Sequence, residues 1–72
     1  MTLYLLHELR YNHSRVVYAT EDIERLFEIV EVRYHLDREQ MESFMEWREY
    51  YSVVDDCRIN VQEIETDKFV EV

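Results

Sequence analysis

The sequence predicts an α+β protein, a small antiparallel sheet with two helices on one face in the order ββααβ. Three observations carry this: residues 2–11 alternate with a period of two, residues 23–34 repeat with a period of 3.6, and the alternation returns over residues 58–65. With 72 residues there is room for one domain, residues 1–72, and no second module.

Strand one, residues 2–11, puts Leu3, Leu5, His7, Leu9 and Tyr11 on one side and Tyr4, Leu6, Glu8 and Arg10 on the other. Asn12, His13 and Ser14 then form a turn, because a chain without Gly or Pro must turn on residues that bond their own backbone. The β-branched run Arg15–Ala19 folds back as the second strand of a hairpin.

From Thr20 the period changes. Ile23, Leu26, Phe27, Val30 and Tyr34 form one apolar helical stripe, with Thr20 as cap and Glu21 and Asp22 in the first turn, where the helix dipole favours acids. A second helix is expected from Asp37, with Gln40 completing a capping box and Met41, Phe44, Met45 and Tyr51 on its buried side, Trp47 near the edge. Only His35 and Leu36 separate the two, so a single kinked helix over 21–51 is the alternative.

Asp55 and Asp56 read as a turn and Arg58–Glu65 as the C-terminal strand, whose alternation breaks at Ile64, a break that a bulge would explain. Phe69, Val70 and Val72 supply a possible fourth strand after a turn at residues 66–68.

Composition narrows function before any motif is read. Asp plus Glu number 17 against 8 Lys plus Arg, a formal charge of −9, which argues against direct binding of nucleic acid or an anionic membrane surface. With Gly at zero there is no phosphate-cradling loop. The single Cys57 excludes an intramolecular disulfide, and MTLYLLHELR lacks the basic start of a signal peptide and the unbroken apolar length of a membrane span. The chain reads as soluble and cytoplasmic. With 47% hydrophobic residues it folds, but a chain this short has a thin stability margin, so a second copy is expected to help.

Catalysis needs a nucleophile beside a base, paired carboxylates in a dry cleft, or a set of metal ligands. Cys57 follows two acids that disfavour its thiolate, and His7, His13 and His35 have no ligand spacing. No enzyme activity, cofactor or metal is expected.

The carboxylates are the regular feature. Glu21, Glu24, Glu28 and Glu31 are spaced 3, 4, 3, and Glu39, Glu42, Glu46 and Glu49 repeat that spacing 18 residues later. Steps of three and four put each set on one helical face, about 15 Å long, although like charges at i, i+4 weaken an isolated helix. Residues 1–36 carry a net charge of −2 and residues 37–72 carry −7, so the second stripe, with Asp55 and Asp56 beside it, dominates the field. A solvated face explains such acids as mere solubility. The other explanation is that carboxylates stepping by ~4.5–6 Å imitate a phosphate backbone and attract a basic groove. Trp47, Tyr50 and Tyr51 would then be aromatic anchors or a dimer seam.

The strand Leu3–Leu9, the run Val16-Val17-Tyr18-Ala19-Thr20 entering an acidic helix, and the closing Ile59-Asn60-Val61-Gln62-Glu63-Ile64-Glu65 resemble small αβ proteins of tailed phages. Within that group, acidity and size are similar to the DNA-mimic inhibitors of the bacterial nucleoid protein HU found in large lytic Bacillus phages. The resemblance implies a homodimeric inhibitor in the cytoplasm of a bacterial host, covering the DNA-binding surface of a basic, HU-like host protein. The competing expectation is a small adaptor that binds through apolar surface.

Overall fold

A computed structural model of the chain describes residues 1–53 and 55–65. It contains β1 (Thr2–Arg10), β2 (His13–Thr20), α1 (Ile23–Tyr34), α2 (Arg38–Trp47), β3 (Glu49–Ser52) and β4 (Cys57–Glu65). The four strands form one antiparallel sheet in the order β2-β1-β4-β3. The fold is α+β and the ββααβ order holds, with β3 added between α2 and the long final strand. The suggested strand at Phe69, Val70 and Val72 lies outside the described residues.

Having no glycine, the chain makes its sharp reversals with ordinary residues in the left-handed region: Tyr11 (φ 60°), His35 (φ 55°), Arg48 (φ 59°) and Asp56 (φ 50°). Each position costs conformational energy that Gly would avoid. The first shortens the expected turn. Tyr11 and Asn12 alone connect β1 to β2, so pairing begins at Arg10↔His13 and β2 starts two residues before Arg15. The register shifts between Leu6 and His7 and leaves Val17 unmatched, so that Val17 and Tyr18 both pack against the core.

The cap of α1 is Asp22, not Thr20. Asp22 has extended backbone and its carboxylate accepts from the Glu24 amide at 3.0 Å, while the Thr20 hydroxyl accepts from the Asp22 amide at 3.0 Å. Glu21 therefore precedes the helix. His35 then ends α1 in the left-handed conformation, and Asp37 starts α2 with a complete capping box: Asp37 Oδ1 accepts from the Gln40 amide, and Gln40 Oε1 from the Asp37 amide, both at 2.8 Å. The single kinked helix is thereby excluded.

Helix α2 stops at Trp47, because Arg48 turns left-handed and returns its amide to the Phe44 carbonyl. Glu49–Ser52 then pair with β4 instead of continuing the helix. Tyr51 sits at i+7 from Phe44, a spacing that suits a helix stripe, but in the fold it is an exposed strand residue. Met45, expected inside, is 42% exposed.

The core lies between the helices and one face of the sheet: Leu6, Cys57 and Ile59 meet Leu26, Val30, Leu36, Met41 and Phe44, all buried. Opposed residues share a face, so Tyr4, Leu6 and Glu8 of β1 look toward the helices, and Leu3, Leu5, His7 and Leu9 look away. There is no bulge at Ile64. The β1–β4 register runs unbroken from Thr2↔Glu65 to Arg10↔Cys57, and Ile64 is an apolar residue of the outward face, opposite Leu3.

Candidate functional site

The two helices carry the acids outward. In α1, Glu24, Glu28 and Glu31 are exposed at steps of four and three; in α2, Glu39, Glu42 and Glu46 are exposed at steps of three and four. Each expected stripe of four is thus three helical residues. Glu21 sits just ahead of α1, and Glu49 is displaced to β3, where its pairing with Asn60 puts it on the sheet face that points away from the helices. Arg25 lies 3.7 Å from Glu28 and Arg38 lies 3.6 Å from Glu42, both exposed pairs of small energetic value. Among the described residues, Glu24, Glu31, Glu39 and Glu46 have no such cation.

Between the helices runs a groove of about 540 Å³. Its floor is apolar: Phe27 of α1, Leu36 of the connection, and Met41 and Met45 of α2. Phe27 is fixed there by an edge-on contact with the buried Phe44 ring, 5.9 Å between centroids at 83°. Glu24, Glu28 and Glu31 form one bank and Glu42 the other, so the stripes border an apolar trough instead of lying on a featureless helical surface.

No protein-family model, curated protein or solved structure matches the chain.

Asp55 and Asp56 lie elsewhere, in the turn between β3 and β4. Asp55 Oδ2 accepts from the Ser52 hydroxyl at 3.4 Å and Asp56 Oδ1 from the Tyr51 hydroxyl at 3.2 Å, so both shape the turn they occupy. The three aromatic residues are not brought together. Trp47 is 69% exposed at the end of α2, Tyr50 faces inward with its hydroxyl accepting from Gln40 Nε2 at 3.0 Å, and Tyr51 faces outward beneath the Arg58 guanidinium, 5.4 Å from the ring centre.

A second polar centre was not foreseen from the sequence. Glu8 of β1 is only 3% exposed, yet three elements supply partners for it. Tyr34 donates to Oε2 at 2.8 Å, Arg15 to Oε1 at 3.3 Å, and Arg10 lies 3.6 Å away. Burial opposes ionisation of Glu8, but the Tyr34 and Arg15 hydrogen bonds and the charges of Arg10 and Arg33 outweigh it and hold the carboxyl below its ordinary range. The same burial, with the bond to Glu8, pushes Tyr34 up to about 12. Cys57, buried with its sulfur 3.9 Å from Glu8, is raised mainly by burial, with Glu8 and Asp55 adding to it. The signal was present in the alternation, which places Glu8 beside Leu6 on the inward side of β1.

His7 bonds Gln62 at 2.7 Å on the outward sheet face, His13 starts β2 and His35 ends α1. Among the described residues no group of three or more His, Cys, Asp or Glu is placed to hold a metal ion, and no helix is long and apolar enough to cross a membrane.

Proposed function

We propose that the chain is an acidic binding protein whose helical layer occupies the basic surface of a DNA-binding protein, as a DNA mimic of the HU-inhibitor kind that its sequence resembles. One observation carries this reading. Six exposed carboxylates stand on two adjacent helices at steps of three and four residues, or ~4.5–6 Å along each axis, and four of them have no cation among the described residues. Phosphates along a DNA strand are spaced by ~3.4 Å of axis, so a groove that neutralises phosphates meets a comparable charge density here. Local stability does not favour the pattern, since Glu24–Glu28 and Glu42–Glu46 are like charges at i, i+4.

The test is displacement of labelled duplex DNA from an HU-type nucleoid protein, measured at about 50 and 200 mM salt. Displacement that weakens by powers of ten across that range, and that fails for a variant with Glu39, Glu42 and Glu46 changed to Gln, supports mimicry. Glu49→Gln is the control, because Glu49 is on the other face. Displacement insensitive to salt and to these changes refutes it.

A second reading has its own observation. The outward sheet face presents Leu3, Leu5, Leu9, Val16 and Ile64, and the two formally charged strand residues on it, Arg58 and Glu49, cancel. An apolar, neutral face on a chain of net charge −9 suits an adaptor, or a homodimer in which two sheets stack with their acidic helices pointing apart. Sedimentation at micromolar concentration with wild type and Val16→Lys tests it: a monomer in both cases removes the dimer.

A further inference from the structure

From the groove between α1 and α2 we infer that the occupant of the acidic face is a basic amphipathic helix whose apolar side chains seat on Met41 and Met45. This deepens the proposed binding function and rests on the helical layer being the binding face. It adds something that charge mimicry alone does not contain, an apolar anchor.

The floor and the banks of the groove make different demands on a ligand. Met41 is nearly buried and Met45 is 42% exposed, and both are unbranched thioethers that repack around differently shaped apolar groups. Of the charged side chains lining the groove, five are carboxylates and one is a guanidinium, Arg38, which is already 3.6 Å from Glu42. The lining is thus four negative around an apolar centre. Phosphate and other anions are repelled, and a neutral apolar ligand would leave the acids of the banks partly desolvated without partners.

What remains is a ligand with apolar groups on its midline and cations on both flanks. An extended strand does not offer this, because its side chains alternate between opposite faces and its cations would point away from the floor. A helix does. Leu or Ile at i and i+4 project onto the floor about 6 Å apart, and Lys or Arg on either side of that stripe reach both banks. Glu24, Glu28 and Glu31 line one bank over ~10 Å, two helical turns, which matches two such anchors.

Three synthetic 14-residue helical peptides test this. The first carries Leu at i, i+4, i+7 and i+11 with flanking Lys; the second has the same Lys and Gln in place of each Leu; the third keeps Leu and has Glu in place of Lys. The chain contains three methionines, Met1, Met41 and Met45, so methyl-labelled Met gives two groove signals and one control far along the sequence. The first peptide is expected to shift the Met41 and Met45 methyls and not Met1, to bind at least tenfold tighter than the second, and to leave the third without detectable binding. Met45→Gln, at an exposed position that leaves the fold intact by circular dichroism, should weaken the first peptide at least fivefold and leave the second unchanged. Equal binding of the first two peptides, both lost when Glu24, Glu28, Glu31 and Glu42 become Gln, would overturn the anchored helix and keep the acidic face. Binding of neither, or binding indifferent to those four acids, would overturn both.

Discussion

Tyr34→Phe isolates the polar centre, because it removes one hydroxyl and almost no volume. That hydroxyl accepts from Arg33 Nε at 3.3 Å and donates to Glu8 Oε2 at 2.8 Å, linking the end of α1 to the C-terminal part of β1. A hydrogen bond to a buried charged group contributes about 1.5–3 kcal/mol, and in a domain of this size each kcal/mol moves Tm by about 4–8 °C. The variant should therefore melt roughly 6–24 °C lower near pH 7. Its pH dependence should change at both ends. Glu8 has a depressed native pKa, so its contribution is present above the ordinary carboxylate range and is lost as pH falls through the native value. Without Tyr34, burial counts for more, the native value rises, and the acid limb of the stability curve moves to higher pH. Tyr34 itself is raised from 10.0 to about 12, so it stabilises the fold fully below pH 10 and loses that contribution as pH rises through 12. The variant should lack this alkaline limb. Thermal melts followed by circular dichroism from pH 2.5 to 12, with Glu8→Gln as companion, measure both limbs. A drop under about 0.5 kcal/mol with neither limb moved would refute the coupling of Tyr34 to Glu8.

Other outcomes follow from single features of the fold. Phe44 is fully buried, so Phe44→Ala should cost about 3–5 kcal/mol, comparable to the whole stability of a chain this short, and leave it largely unfolded by circular dichroism. Asp37→Ala removes the capping box and should lower the urea midpoint by an amount equal to about 1 kcal/mol, with the slope unchanged. His35→Gly relieves a left-handed non-glycine residue between the helices and should raise stability by up to ~1 kcal/mol in the same assay. Cys57 should react with a thiol reagent at neutral pH only as fast as the chain opens, since it is buried and its thiolate disfavoured; rapid labelling of native protein would show otherwise.

Much of this architecture is local in origin and so was legible in the chain. The 3.6-residue stripe from Ile23 to Tyr34, the Asp37–Gln40 capping box and the alternation of the two long strands each specify their element from neighbouring residues, and each is present. The regular acid spacing was legible for the same reason, because a helix turns any 3, 4 spacing into a row.

Features that depend on distant residues were not. Glu49-Tyr50-Tyr51-Ser52 fits a helix or a strand over four residues, and pairing with Cys57–Asn60 decides it, which takes Glu49 out of the acidic row. Ile64 looked like a break in phase until Leu3 lay opposite it on the outward face. Alternation puts Glu8 on the same side of β1 as Leu6, but no local signal shows what holds its charge there, since its support comes from Arg15 on the next strand, Tyr34 on a helix and Cys57 at 49 positions' distance. The groove is likewise a product of assembly. Helices α1 and α2 each carry acids beside apolar residues, and only their packing against one sheet face converts two amphipathic edges into an apolar floor between acidic banks.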